Sequence, residues 1–318
     1  MPLDPKLKTF MEQSGFLKKP GSAPRRPEVI LAEARESVKQ VTIAPGSTLA
    51  PVANIENLVI PGPAGDLPVR LFTPEGSSPF PMLMFFQKSW YHGNLDTHEI
   101  MCRSLCHGAG CLVMTVDYCL APEYPFPAAL EDCYAATCWM FVHATEFRGD
   151  PTRIAVGGES GGGNYAAAIA LMSRDRGGPS LKFQLLICPA ADFRVSTDSW
   201  RDYDGYIIPK EEFLIVRDFY VPKEEDRLHP YAAPSLASDL HDLPPALVFT
   251  AECDPLRDGG ELYGQRLLEA GVPATVTGYD GMIHVFMHLG RLVPQANQAL
   301  DEAIRALRAA FASAENKS

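Results

Sequence analysis

Apolar residues from residue 80 onward come in short continuous runs, which are separated by longer segments with helical spacing. Continuous apolar strands are typical of a mostly parallel sheet that is covered on both faces. The pattern therefore predicts an α/β fold, in which helices flank a twisted central sheet. The predicted strands are Met82–Phe86, Cys111–Val116, Ile154–Val156, Phe183–Cys188, Ala246–Thr250 and Thr275–Tyr279. The predicted helices are Thr97–Cys106, Ala128–His143, Asn164–Ser173, Gly259–Ala270 and Val293–Ala312.

Two regions depart from this alternation of strands and helices. Residues 1–45 contain two helical segments with few apolar positions: one starts at Asp4-Pro5 and is broken by Gly15, and the other is Pro27–Val41. We expect these helices to pack on a body formed later in the chain. Residues 193–244 interrupt the rhythm and are rich in aromatic and large aliphatic side chains. We predict that these two regions form a helical cap over one edge of the sheet. Residues 46–192 and 245–318 would then form the main domain.

Composition and charge narrow the class of protein. The chain has 318 residues, 46% of them hydrophobic and 21% charged, which is ordinary for a globular protein. A formal net charge of −11 without a Lys/Arg cluster argues against nucleic acid or a membrane as a partner. The first residues lack the basic-then-apolar layout of a signal peptide. The eight cysteines show no C-x-x-C pairing, which favours free thiols in the cytoplasm over disulfides or a metal site.

The segment Gly158–Gly162 matches the pattern G-x-S-x-G around Ser160. The pattern alone is weak, but a short apolar strand precedes it and an alanine-rich helix follows it. A sharp turn from strand to helix is the setting of a nucleophile elbow, which holds a serine hydroxyl out at the start of the helix. The alternative is a glycine-rich connection without a chemical role. The context favours Ser160 as a nucleophile.

A nucleophilic serine needs a base, and the base needs an acid that orients it. In this fold the acid and then the histidine follow the serine along the chain, each just beyond a strand. Asp254 and His284 stand in such positions. The competitor Asp258 is expected to be the N-cap of the next helix, and His288 is expected to be a structural group one turn beyond His284.

Taken together, the motifs resemble those of the hormone-sensitive lipase family of bacterial esterases, within the α/β-hydrolase fold. The resemblance covers essentially the whole chain, with residues 46–192 and 245–318 as the catalytic domain. It implies an acyl-enzyme mechanism on Ser160, with His284 as general base and Asp254 as its orienting acid. It also implies that no metal or organic cofactor takes part, and that the protein is a monomer or a homodimer. The matching segments are Asp117–Glu123, Pro125–Asp132, Gly158–Asn164, Asp254–Asp258 and Ile283–His284.

One motif of that family is missing. Where the family carries the oxyanion loop His-Gly-Gly-Gly, residues 86–89 read Phe-Gln-Lys-Ser, counted back from Trp90. Glycines allow a close approach of the backbone and unusual φ and ψ angles, which residues with a Cβ reach only at a cost. Gly161 is expected to supply one oxyanion donor. Gln87 and Lys88 are candidates for the others, through their backbone or their side chains, and Lys88 could favour a substrate with a carboxylate.

These observations lead to one predicted function and to two alternative functions. We predict a serine carboxylesterase for small-molecule esters with short or medium acyl chains. The substrate pocket would be lined by aromatic and aliphatic groups of the loop and the insertion, namely Trp90, Tyr206, Ile208 and Phe213. The altered loop keeps two alternatives open: a ligand-binding or weakly active protein on the same fold, and a related acyl-transfer activity such as amide or lactone cleavage.

Overall fold

The computed structural model describes residues 3–18, 25–41 and 49–312, and contains one eight-stranded sheet in the order β1-β2-β4-β3-β5-β6-β7-β8. Strands β3 to β8 run parallel, whereas β1 pairs antiparallel with β2, and β2 with β4. The predicted α/β architecture is confirmed. The strands are β1 (Asn54–Gly62), β2 (Gly65–Thr73), β3 (Phe80–Phe86), β4 (Leu112–Val116), β5 (Gly149–Glu159), β6 (Leu181–Ile187), β7 (Ala246–Cys253) and β8 (Ala274–Ile283).

The α-helices of the described chain connect these strands, precede the first strand or follow the last one. They are α1 (Pro5–Ser14), α2 (Pro27–Val41), α3 (Glu99–Ala109), α4 (Ala128–Val142), α5 (Gly161–Asp175), α6 (Asp198–Tyr203), α7 (Lys210–Tyr220), α8 (Arg257–Glu269) and α9 (Pro294–Ala312). Four short 3₁₀ segments accompany them, at Ala144–Phe147, Glu224–Leu228, Pro234–Leu236 and Phe286–His288. No described helix has both the length and the apolar character needed to cross a lipid bilayer.

Side chains alternate along the strands between two apolar clusters, one on each face of the sheet. In β3, Met82 and Met84 enter the first cluster, whereas Leu83 and Phe85 enter the second. This period of two is what a pleated strand imposes. Helices α4, α5 and α8 supply the first cluster, and α1, α3 and α9 supply the second. Both faces of the sheet are therefore covered, as the continuous apolar runs predict.

Strands β7 and β8 are longer than the sequence predicts. The predicted ends at Thr250 and Tyr279 are wrong, because pairing continues across an irregularity from Ala251 opposite Tyr279 to Cys253 opposite Ile283. The polar residues and Gly281 in the last part of β8 suggest a loop. The Gly281 amide instead donates to the Glu252 carboxylate at 2.7 Å, and the Gly281 carbonyl accepts the Asp4 amide at 3.1 Å. Consequently Asp254 directly follows β7 and His284 directly follows β8, with no intervening loop.

The N-terminal segment and the insertion between β6 and β7 contact each other. Leu17 forms an isolated antiparallel bridge with Tyr206, and the Lys18 amide donates to the Gly205 carbonyl at 2.9 Å. The Arg25 guanidinium binds both carboxylate oxygens of Glu212, at 2.8 and 2.6 Å. These contacts join the two regions from which the cap was predicted. The predicted domain boundaries themselves remain a prediction, and part of residues 1–45 lies outside the described residues.

Candidate active site

Ser160 lies on a sharp turn between β5 and α5. Its backbone has φ 56° and ψ −117°, a conformation that residues with a Cβ rarely adopt. The glycines on either side explain why the turn can form. A Cβ on Gly162 would lie 1.9 Å from the Phe86 carbonyl oxygen, and one on Gly158 would lie 2.3 Å from the Gly162 carbonyl oxygen. The local pattern G-x-S-x-G is thus required by close packing of backbone against backbone.

Ser160, His284 and Asp254 form a continuous hydrogen-bonded chain. His284 Nε2 lies 2.9 Å from Ser160 Oγ, and His284 Nδ1 lies 2.7 Å from Asp254 Oδ2. The other carboxylate oxygen of Asp254 accepts the Leu256 amide at 2.9 Å. The structure therefore brings together the three residues that the sequence singles out, each at the end of a strand.

Burial and charge set the basicity of His284. Its side chain is 5% exposed, and that of Asp254 only 1%. Burial by itself lowers the pKa of His284, but the charge of Asp254 and its hydrogen bond outweigh burial and raise that pKa above its ordinary value. A base with a raised pKa and a fixed ring can accept the proton of the Ser160 hydroxyl.

The competing residues have other partners. The prediction that Asp258 is the N-cap of α8 is wrong. The helix begins at Arg257, and Leu256 holds the cap position. The Asp258 carboxylate instead accepts the Ser199 amide at 2.8 Å, which ties α8 to the insertion. His288 Nε2 lies 2.7 Å from Glu159 Oε2.

In residues 86–89, the side chains of Gln87 and Lys88 are used inside the protein. Gln87 Nε2 donates to the Val116 carbonyl at 3.2 Å. The Lys88 ammonium lies 2.8 Å from Asp117 Oδ1, donates to the Tyr118 carbonyl and sits 4.3 Å from the centre of the Tyr118 ring. Neither the Gln87 amide nor the Lys88 ammonium is therefore available to act as an oxyanion donor or to attract a substrate carboxylate. The backbone remains as the source of donors.

The backbone of this loop is unstrained. None of Gln87, Lys88 and Ser89, all of them described, has a positive φ. Gly93 makes room for the bulk of Lys88, because a Cβ on Gly93 would lie 2.8 Å from both Cβ and Cγ of Lys88. Residues 87–89 therefore avoid the left-handed backbone conformation that would be costly for residues with a Cβ.

The part of the loop that faces Gly161 is Ser89–Trp90. A Cβ on Gly161 would lie 3.1 Å from the Trp90 amide nitrogen and 3.3 Å from Ser89 Cα. Ser89 was not among the residues predicted for the oxyanion site. The sequence carries no signal for it, because the closeness of Ser89 to Gly161 depends on how β3 and β5 lie side by side.

Aromatic rings crowd the space beside this loop. The Trp90 ring stacks on Tyr220 at 4.8 Å and 10°, and lies 5.4 Å from Phe193 and 6.2 Å from Phe213. These rings belong to the first of the two apolar clusters, and Ile208 packs against that cluster. Of the four predicted pocket residues, Trp90, Ile208 and Phe213 thus share this cluster. Tyr206 does not, because it packs with the N-terminal segment in the cluster on the other face of the sheet.

Among the residues that the structure describes, two groups of side chains carry atoms of the kind that bind metals, within 4.8 Å of one another. One is Cys188 with Asp254 and His284, and the other is His98 with Glu159 and His288. In both groups hydrogen bonds already link the histidines to the carboxylate. The second group lies next to the elbow and is not anticipated by the sequence.

The fold and this site define a class of hydrolase. The sequence model of a family with the α/β hydrolase fold matches residues 85–288, and the chain belongs to that family. The carboxylic ester hydrolase LipN of Mycobacterium tuberculosis is 39% identical over 264 residues, which cover 80% of this chain and 70% of that protein. Carboxylesterase NlhH of the same species is 37% identical over 286 residues, covering 87% and 89%. A hyperthermophilic esterase from Pyrobaculum calidifontis has a solved structure that superposes with a TM-score of 0.87 at 34% identity, covering 97% and 99% of the two chains.

Proposed function

We propose that this chain is a serine carboxylesterase, which hydrolyses small carboxylic esters through an acyl-enzyme on Ser160. The observation that carries the proposal is the hydrogen-bonded chain from Asp254 through His284 to Ser160 Oγ, on a strained turn at the end of β5. Relatives named as carboxylic ester hydrolases and esterases support the same reaction. They do not favour the ligand-binding alternative.

The geometry supports the following steps. Ser160 Oγ bonds to the ester carbonyl carbon while His284 Nε2 takes the hydroxyl proton, and Asp254 stabilises the imidazolium. The tetrahedral intermediate collapses, the bond to the alcohol oxygen breaks, and His284 returns the proton to the leaving alcohol. A water molecule then attacks the acyl carbon while His284 Nε2 takes one of its protons. The second tetrahedral intermediate collapses, the bond to Ser160 Oγ breaks, and His284 returns the proton to Ser160 Oγ as the carboxylic acid leaves.

The negative oxygen of each intermediate needs donors. Gly161 is the first residue of α5, so its amide has no partner within the helix and lies at the positive end of the helix dipole. The backbone of Ser89–Trp90 faces Gly161 across the site. We infer that amides of this segment, rather than the side chains of Gln87 and Lys88, complete the oxyanion hole. Loss of one such donor typically costs about 10²–10³ in turnover.

The surroundings favour small acyl groups. The stacked rings of Trp90 and Tyr220 and the neighbouring Phe193 fill space beside the elbow. Short- and medium-chain esters are therefore the proposed substrates. The free, largely buried cysteines support a cytoplasmic location for the protein. We also propose that it acts as a monomer or a homodimer.

The test is hydrolysis of p-nitrophenyl acetate, butyrate and octanoate. The wild type is expected to cleave acetate and butyrate faster than octanoate, and Ser160→Ala is expected to lose at least about 10³-fold in kcat. Ser104→Ala is the matched control, because the Ser104 hydroxyl only donates to the Ile100 carbonyl within α3 at 2.8 Å. A wild type no faster than Ser160→Ala would refute the proposal and favour ligand binding. Hydrolysis of anilides or lactones in preference to esters would favour the related activities.

A further inference from the structure

A second buried network lies beside the triad. Glu159 Oε2 lies 2.7 Å from His98 Nε2 and also 2.7 Å from His288 Nε2. The Glu159 side chain is 2% exposed, His98 10% and His288 28%. The two imidazole rings stand edge to face at 4.7 Å. One carboxylate oxygen thus accepts from two histidines in a largely water-excluded place.

The three residues come from the three segments that build the proposed active site. Glu159 directly precedes Ser160, and His288 lies four residues after His284 in the same short segment. His98 is the cap residue of α3 and follows residues 86–94, where Gly93 packs on Lys88. A single carboxylate therefore connects the nucleophile segment, the base segment and the oxyanion-loop segment.

We infer that Glu159 is a positioning residue, which through His288 and His98 fixes Ser160 relative to His284 and keeps a negative charge beside the base. This inference rests on the proposed esterase function. Glu159 itself does not touch the reacting atoms, since its hydrogen bonds go to the two histidines. Its effect on turnover is expected to pass through the placement and the basicity of His284.

The charges around the network agree with this role. Burial opposes ionisation of Glu159, but His288 and His98 outweigh burial and hold its pKa well below the usual range. For His288, burial opposes protonation and the Glu159 charge outweighs it, so the pKa is raised. His98 has a lowered pKa, because burial outweighs its bond to Glu159. The Glu159 charge therefore favours the protonated form of His288, whereas His98, whose pKa is lowered, is the less basic of its two partners.

His284 feels several charges besides that of Asp254. Burial lowers its pKa, Asp254 raises it most, and Glu159 raises it further. The Cys188 thiol, whose pKa burial and Asp254 raise well above its usual value, stays protonated beside the base. His92, near His98, has a pKa lowered to about 4, chiefly by burial, and stays neutral. His284 also faces His288, and the two rings repel each other when both are protonated. The Glu159 charge raises the pKa of both histidines, so its loss should lower the pKa of both.

The test compares Glu159→Gln with the wild type in kcat, KM and their pH dependence. Gln keeps the size and an acceptor but removes the charge. We expect kcat to fall about 10- to 100-fold with KM within about twofold, and the acidic limb of kcat/KM to move down by about 0.5–1 pH unit. The acidic limb moves down because a His284 of lower pKa remains a neutral base to lower pH. Glu159→Asp, which retains the charge, should keep that limb near its wild-type position.

Glu302→Gln is the matched control. Glu302 is also partly buried and also accepts two hydrogen bonds, from Thr277 Oγ1 at 2.7 Å and Tyr279 OH at 2.8 Å, but it lies on α9. It should change neither kcat nor the acidic limb. An acidic limb that stays in place in Glu159→Gln, with or without a loss of thermal stability, would overturn the inference.

A readout that needs no turnover separates this inference from the proposed function. The pKa of His284 can be followed by NMR of ¹⁵N-labelled histidine, with its signal assigned by its loss in His284→Gln. A fall of that pKa in Glu159→Gln but not in Glu302→Gln supports the inference even if no ester is cleaved. An unchanged pKa in an active enzyme rejects the inference and leaves the esterase function intact.

Discussion

The elbow around Ser160 and the loop at residues 86–89 face each other across the site, but they obtain their shapes in different ways. In the elbow, Ser160 has φ 56° and lies between Gly158 and Gly162. A Cβ on either glycine would lie only 2.3 or 1.9 Å from a backbone carbonyl oxygen. The loop has no positive φ at Gln87, Lys88 or Ser89, and the Lys88 side chain anchors it on Asp117 and Tyr118.

This difference indicates at which positions of the site a substitution can be accommodated. Backbone packed against backbone cannot yield, so the elbow tolerates only glycine at its close contacts. A loop held by side chains can exchange one set of anchors for another. The two kinds of packing therefore predict that the glycines of G-x-S-x-G are harder to replace than the residues of the loop.

The largest expected effect comes from Gly162→Ala, which tests the rigidity of the elbow. The added methyl would lie 1.9 Å from the Phe86 carbonyl oxygen, so the elbow must move. We expect kcat for p-nitrophenyl butyrate to fall by at least about 10²-fold, and the free energy of unfolding in urea to fall by about 3 kcal/mol or more.

The control for the elbow is Gly259→Ala in α8. Its nearest neighbour would be Asp192 Oδ2 at 3.5 Å, an ordinary contact. Alanine in a helix is favoured over glycine by about 0.5–1 kcal/mol, so this variant should be as stable as the wild type or more so. A Gly162→Ala protein with wild-type activity would show that the elbow yields as easily as the loop.

A smaller effect is expected from Lys88→Met, which tests the anchoring of the loop. Methionine fills similar space but cannot donate to the buried Tyr118 carbonyl, which should cost about 1–3 kcal/mol in unfolding free energy. We expect kcat to fall on the order of tenfold, less than the 10²–10³ for a whole lost donor. Lys223→Met, at an exposed position, is the control. Unchanged kcat would mean that the ammonium is not what holds the loop.

The smallest effect concerns the support of the loop by α2. Arg35 donates to the Tyr91 and Ala121 carbonyls, both at 3.1 Å, and pairs with Glu123 at 2.7 Å. The hydrogen bond from Arg35 lowers the pKa of Glu123 to about 2. Because Glu123 is half exposed, Glu123→Gln should destabilise the protein by less than about 1 kcal/mol at pH 7.

The pH dependence of that small effect has a definite sign. A carboxylate with a depressed pKa stabilises the folded state above its unfolded pKa, and this contribution is lost as the pH falls through about 2. The difference in unfolding free energy between wild type and Glu123→Gln should therefore shrink from pH 4.5 to pH 2, while kcat at pH 7 stays within twofold. A constant difference would assign the effect to something other than the ion pair. Glu28→Gln, in a more exposed pair with Arg26, serves as control.

Most of the fold and the ends of the first two helices could be predicted from local patterns, but the ends of several strands could not. Helices α1 and α2 have the boundaries that Asp4, Gly15 and Pro27 indicate. Strand β5, in contrast, was predicted only over Ile154–Val156 and extends over Gly149–Glu159. Its glycines suggest breaks, yet pairing with β3 and β6 on both sides keeps the strand intact.

The sequence by itself determined the α/β alternation, the elbow and the identity of Ser160, Asp254 and His284, because these signals act over a few residues. Only the tertiary structure decided where the loop side chains point and that His98, Glu159 and His288 meet. These partners are 61 and 129 residues apart along the chain, and no local pattern encodes such contacts. The packing of the whole sheet sets them, because it brings the ends of separate strands to one edge.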